Sequence, residues 1–89
     1  MVLVKRLVLD VLKPHDPNPL DFSRALAQHG DYRITLTVLE MDESTETLQI
    51  VVEGADIDFE AIQSAISDLG GSLHSIDEVE VVGETAPAE

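Results

Sequence analysis

The sequence predicts an α+β protein of the ferredoxin-like class, with the element order βαββαβ. Four segments alternate apolar and polar residues with a period of two, and two segments carry apolar residues at helical spacing. Turn-forming residues separate these segments from one another. This order is that of the split βαβ arrangement, so we expect a four-stranded antiparallel sheet, in the order 4-1-3-2, with both helices on one face.

The first strand is predicted over residues 4–12, because apolar residues there alternate with the others. One face carries Leu7, Leu9 and Val11. The three prolines between positions 14 and 19 then exclude regular strand pairing and indicate a loop.

The first helix is predicted to begin at Pro19. Asn18 is a capping residue, and proline at the first helical position loses no hydrogen bond. Apolar residues recur three and four positions apart from Phe22 onwards. Gly30 is expected to end the helix in the left-handed conformation.

A hairpin and a second α-β unit complete the predicted domain. Residues 32–39 and 46–53 alternate as strands and are joined by a polar turn at 41–45. Asp58 caps the second helix, and Gly70 with Gly71 ends it. Residues 72–82 form the last strand, with a bulge expected at 75–78 where the alternation slips. We therefore predict one domain over residues 1–82 and a flexible acidic tail over residues 83–89.

The distribution of charge limits the classes of partner. All five Lys and Arg residues precede Ile34, the net charge is −13, and there is no cysteine. The acidic surface repels phosphate backbones and anionic lipid, so we expect neither nucleic acid nor membrane as a partner. Such a surface favours a halophilic protein of a salt-rich cytoplasm, where salt screens the repulsion. An ordinary acidic cytoplasmic protein in dilute salt is the alternative.

The predicted topology gathers polar residues at the end of the sheet where the first strand finishes. The second strand also ends there, the hairpin turns there, and the fourth strand begins there. One rim should therefore hold Lys13, His15, Asp16, Glu40, Asp42, Glu43, Glu46 and His74.

Within this rim, Glu40, Asp42 and Glu46 are candidate ligands for calcium or magnesium, which prefer several oxygen ligands. A solvated, salt-adapted hairpin tip is the alternative. His15 and His74 could together bind a transition metal. Lys13 and His15 could instead hold a small anion beside the helix start.

Asp10 is a carboxylate inside the first strand, on the face away from the helices. It could pair with Arg6 or His74, or line a pocket between subunits, where Asp77 and Glu78 either join it or are simply solvated. The same open face carries four apolar residues, which favours its burial against another subunit. These are Val8, Leu12, Leu39 and Val51.

Four segments of the chain resemble the archaeal domain-of-unknown-function 211 family. They are VLDVLKPH (8–15), ITL (34–36) followed by EMD (40–42) and TE (45–46), IDFE (57–60), and GGSLHSIDEV (70–79). The resemblance covers roughly residues 4–82 and implies a ferredoxin-like fold, ring-like homo-oligomers, an association of a relative with calcium, and no established activity. The chain differs from the family in its few lysines and its acidic, proline-containing tail. The family's motif residues fall here on Asp10, Lys13, His15, Glu40, Asp42, Glu46, His74, Asp77 and Glu78.

The leading hypothesis is a small homo-oligomeric binding or regulatory module. Its subunits would pack through the open sheet face or an edge strand, with divalent cations at the rim. The alternative is a small enzyme in which Asp10, His15 and His74 supply acid–base groups. No nucleophile motif or phosphate-binding loop is present in the sequence. RNA binding through the sheet is disfavoured, because the first and third strands carry no aromatic residue.

Overall fold

Six elements follow one another in the predicted order βαββαβ in the computed structural model, which describes residues 1–83. The predicted start of the tail, Gly83, is the last residue of β4, and residues 84–89 lie outside the described part. The elements are β1 (Val2–Pro14), α1 (Pro19–Ala27), β2 (Arg33–Met41), β3 (Thr45–Glu53), α2 (Phe59–Asp68) and β4 (Ser72–Gly83).

The strands form one antiparallel sheet in the order β2-β3-β1-β4, which confirms the predicted topology. β1 lies inside the sheet, where Leu9 pairs with Ile50 of β3 and with Ile76 of β4. β2 and β4 are the two edges. The fold is therefore the ferredoxin-like α+β arrangement.

The core lies between the helices and one face of the sheet. Burying each large apolar side chain there stabilises the fold by roughly 1.5–3 kcal/mol relative to exposure. The strands and helices contribute alternating and helically spaced residues respectively, as their sequence patterns predict. The core residues are Leu7, Leu9, Val11, Phe22, Leu26, Leu48, Ile50, Val52, Ile57, Ile62, Ala65 and Ile66.

Both helices begin at the predicted caps. The Asn18 side chain accepts a hydrogen bond from the backbone N–H of Asp21 at 2.8 Å, and Asp58 accepts one from Ala61 at 3.1 Å. Each cap satisfies an N–H group that the helix itself leaves without a partner. Gly70 follows α2 with a φ of 86°, as its predicted role requires.

The prediction for Gly30 was wrong, because α1 ends at Ala27 and among residues 1–83 only Gly70 has a positive φ. Gly30 is instead required by close approach. A Cβ atom there would lie 2.6 Å from the ring of Tyr32. That ring is fixed in place because its hydroxyl accepts a hydrogen bond from the backbone N–H of Asp58 at 2.9 Å.

Bulges interrupt the register at four positions. Lys5 of β1 and both His74 and Asp77 of β4 are extra residues in the β1–β4 pairing, and the shift at Asp77 confirms the predicted bulge. In the β2–β3 pairing the extra residue is Leu39. Because a one-residue slip exchanges the two faces of a strand, Glu40 moves to the open face beyond this bulge.

On the open face, neighbouring side chains shield the central apolar residues from water. Val8 and Val51, which are cross-strand partners, are only 7% and 9% exposed. Arg6 lies two residues before Val8 on the same face and joins three strands, with ion pairs to Glu53 at 2.9 Å and to Glu78 at 2.8 Å. Neither helix of the described chain has the length and apolar run that a membrane crossing needs.

Candidate functional site

The predicted rim is one end of the sheet, but it does not form a single site. Glu40 lies on the edge strand β2 and His74 on the opposite edge strand β4. Three strand spacings separate these edges, a distance of about 14 Å. The polar residues therefore divide into one group around Glu46 and another along β4.

Lys13 lies in the interior, although it was predicted at the rim. It continues the alternation of Leu9 and Val11, so its side chain points towards the helices and is fully buried. The ammonium nitrogen donates hydrogen bonds to the carbonyls of Pro14 at 2.8 Å and Pro17 at 2.6 Å. It also lies 5.8 Å from the centre of the Phe22 ring, within the range of a cation–π contact.

Glu46 is the counter-ion of Lys13. The two residues are cross-strand partners and share the helix-facing side of the sheet. Lys13 Nζ and Glu46 Oε1 are 2.7 Å apart, and the Glu46 side chain is 4% exposed. The contact is an ion pair between two side chains that are both withdrawn from water. Lys13, and after it His15, lowers the pKa of Glu46, whereas burial acts in the opposite direction.

His15 links the loop after β1 to two other segments. Its Nδ1 atom lies 3.0 Å from Oε2 of Glu46, and its Nε2 atom lies 2.8 Å from the carbonyl oxygen of Asp42. Both partners are acceptors, so the imidazole fits this position with a proton on each nitrogen. The hydrogen bond to Glu46, followed by that to Asp42, raises the pKa of His15.

Asp42 closes the hairpin with its own carboxylate. Its Oδ1 atom accepts hydrogen bonds from the backbone N–H groups of Ser44 at 3.0 Å and Thr45 at 2.8 Å. The Thr45 hydroxyl donates a further bond at 3.0 Å. These bonds, led by the one from the Thr45 backbone, lower the pKa of Asp42. We refer to Lys13, His15, Asp42 and Glu46 together as the clasp.

The structure does not assemble the predicted cation ligands. The bulge at Leu39 puts Glu40 on the open face, opposite Thr47, whereas Glu46 lies on the helix-facing side. Both Glu46 oxygens contact Lys13 or His15, and the Asp42 carboxylate is bonded within its own turn. Within residues 1–83 no group of three or more His, Cys, Asp or Glu residues could hold a metal ion. Glu46 and Asp42 are thus ion-pair and turn residues in this fold.

The structure also does not form the geometry that the two other hypotheses for the rim require, a transition-metal site and an anion site. His15 and His74 belong to different groups, and both ring nitrogens of His15 already face protein acceptors. Lys13 directs its ammonium group to protein carbonyls and Glu46 rather than towards solvent, so it offers nothing to an external anion.

The second group surrounds the bulges of β4. Asp10 is half-buried opposite Gln49 and Ser75, and within residues 1–83 no hydrogen bond or ion pair joins it to Arg6 or His74. Asp77 accepts a hydrogen bond from the Ser75 hydroxyl at 2.7 Å. Glu78 is the partner of Arg6. The acid–base set of Asp10, His15 and His74 is therefore not brought together around one point.

The sequence reasoning missed an apolar strip on β4, formed by Ile76, Val79 and Val81. These side chains are 47%, 56% and 50% exposed. Ile76 and Val79 pair with the core residues Leu9 and Leu7, on the face that the helices cover elsewhere. The signal in the sequence was the difference in length between α2 and β4. The ten residues of α2 span about 15 Å and the twelve of β4 about 40 Å, so the helix cannot cover the whole strand. We refer to these three residues as the β4 strip.

Two comparisons place the chain among known proteins. The model of the domain-of-unknown-function 211 family, described as "Uncharacterized ArCR", matches residues 5–86. An uncharacterized protein of Methanocaldococcus jannaschii, MJ0319, is 43% identical over 77 residues, which are 85% of this chain and 79% of that protein.

Proposed function

Since the chain belongs to the domain-of-unknown-function 211 family, described only as uncharacterized, we propose its role from its own surface: it is a small homo-oligomeric binding module whose subunits join along the edge of β4. The observation that carries this proposal is the β4 strip, which lies on an edge strand of twelve residues.

An edge strand presents unpaired N–H and C=O groups, which form a template for another strand. In β4 the bulges at His74 and Asp77 disturb the first half of this template. Residues 78–83 contain no extra residue and are therefore the more regular half. Glu78 and Glu80 give this half a negative charge that disfavours indiscriminate pairing.

The opposite edge strand, β2, exposes its helix-facing apolar side chains only towards the hairpin, where Val38 and Met41 are 37% and 62% exposed. Ile34 and Leu36 of β2 occupy the equivalent helix-facing positions and are packed against the core. The residues of the β4 strip are exposed at about half of their surface. Covering them with a second copy would remove apolar area from water. Each Å² removed contributes a favourable free energy of roughly 25 cal/mol.

The open sheet face exposes less apolar surface for a subunit contact than its residues suggest. Val8 and Val51, at its centre, are already buried by neighbouring side chains. Leu12 and Leu39 remain exposed at one end of the sheet. This distribution favours the edge strand over the open face as the subunit contact.

The proposal is tested by sedimentation equilibrium of the full chain at a few micromolar in molar salt. High salt is needed because each copy carries a net charge of −13, and screening reduces the repulsion between copies. A mass of two or more copies is expected. A monomer under these conditions would overturn the proposal.

A further inference from the structure

The His15 side chain connects the loop after β1 to the β2–β3 hairpin through both of its ring nitrogens. Residues 15–18 form the loop between β1 and α1, and residues 42–44 form the tip of the β2–β3 hairpin. The imidazole reaches Glu46 at the base of the hairpin with one nitrogen and the Asp42 carbonyl at its tip with the other. The ring is 39% exposed, so a proton can enter or leave from solvent.

We propose that His15 is a proton-dependent latch between this loop and the hairpin tip. The latch is closed when both ring nitrogens carry protons, because both then donate to an acceptor. A neutral ring has one N–H group only. The carboxylate of Glu46 is the stronger acceptor, so the remaining proton stays on Nδ1 and the contact between Nε2 and the Asp42 carbonyl is lost.

The charged groups around the ring favour the closed state. Glu46 of β3 faces Nδ1, and the hairpin contributes the Asp42 carboxylate and the backbone of Glu43. Asp16 is adjacent in the loop. Lys13 of β1 opposes protonation from behind Glu46, but its charge is already matched by that carboxylate.

Opening of the latch is local, because the buried ion pair does not depend on it. Lys13 lies 2.7 Å from Oε1 of Glu46, whereas His15 contacts Oε2, and the bonds of Lys13 to the carbonyls of Pro14 and Pro17 do not involve the imidazole. The hairpin tip then keeps only its internal bonds, including the one from the Asp42 N–H to the Thr45 carbonyl at 3.0 Å. The proposal is independent of subunit assembly, since all of its contacts lie within one chain.

The test is an NMR titration of the full-length protein between pH 5 and pH 9 in constant salt. Ring nitrogen shifts of His15 should indicate an imidazole that is still doubly protonated at pH 6.5, the ordinary midpoint for histidine. Amide protection factors at Asp42, Ser44 and Thr45 should fall roughly ten- to hundredfold across the same transition, as expected for loss of one charge-assisted hydrogen bond.

Two variants separate the latch from general effects of pH. His15→Gln can present one donor and one acceptor at any pH, so its hairpin protection should be low and constant. His74→Gln alters a histidine of β4 and should behave as the wild type does. A neutral His15 ring at pH 6 would overturn the proposal, even if His15→Gln failed to fold. Wild-type protection factors that do not change with pH, or that change equally in His15→Gln, would also overturn it.

Discussion

The ammonium group of Lys13 lies 2.7 Å from the carboxylate of Glu46, and both side chains are withdrawn from water. They occupy paired positions on β1 and β3, at the end of two rows of apolar residues that face the helices. The end of the core is thus closed by an ion pair instead of a further apolar pair. Such a pair contributes little relative to an apolar replacement, but breaking it leaves an uncompensated buried charge.

Lys13→Met is therefore expected to lower the free energy of unfolding by about 3–5 kcal/mol. The double variant Lys13→Met with Glu46→Leu should recover a large part of the loss, since neither charge is then buried. Urea unfolding in molar salt measures both values. Arg24→Gln is the control, because Arg24 is exposed and only 3.6 Å from Asp21, and its effect should stay within about 0.5 kcal/mol. A single variant as stable as the wild type would refute the buried pair.

The clasp should also determine how stability depends on pH. The pKa of Glu46 is lowered, so its contribution is present above about pH 4.5 and is lost as pH falls through the lowered value. The pKa of His15 is raised, so its contribution is complete below about pH 6.5 and is lost as pH rises through the raised value. The stability difference between wild type and His15→Gln should therefore be larger at pH 5.5 than at pH 9. Urea unfolding at both values checks this, and a difference that grows with pH would contradict it.

Calcium should not produce a specific stabilisation through the predicted residues. Binding at Glu40, Asp42 and Glu46 would require Glu46 to leave Lys13 and His15. We expect the melting temperature to rise with calcium no more than with sodium chloride of equal ionic strength. A saturable rise that disappears in Glu40→Gln but persists in Glu53→Gln would show that the hairpin rearranges to bind the ion.

Gly70 tests the local geometry at the end of α2. Its φ of 86° is costly for a residue with a Cβ atom, so Gly70→Ala should destabilise the fold by about 1–2 kcal/mol. Gly83→Ala is the matched control, because a Cβ atom there would meet nothing within 4 Å. Thermal unfolding of the two variants gives the comparison, and equal effects would argue against the left-handed conformation.

The fold could be predicted from the sequence because its local signals agree. The alternation of Leu7, Leu9 and Val11 determines which face of β1 is buried, and the caps at Asn18 and Asp58 determine where the helices begin. These signals act within a few residues of the chain. The strand order then follows from the order of the elements.

The site was harder to predict, because its geometry depends on pairing between strands. The alternation of β2 continues in phase from Val38 to Glu40, so nothing local marks the slip at Leu39 that moves Glu40 to the open face. Lys13 and Glu46 do have a signal, since each lies in phase with buried residues of its own strand. We predicted both at the rim, Lys13 as a candidate anion-binding residue and Glu46 as a candidate cation ligand, because they are charged and adjoin turns.

The most direct measurement of the proposed assembly compares Val79→Asp with Thr35→Asp by sedimentation velocity in molar salt. Both variants add one negative charge to an exposed position on an edge strand, but only Val79 belongs to the β4 strip. We expect the wild type and Thr35→Asp to sediment as oligomers and Val79→Asp to sediment as a folded monomer. An assembly that Val79→Asp leaves intact, or that Thr35→Asp disrupts equally, would contradict it.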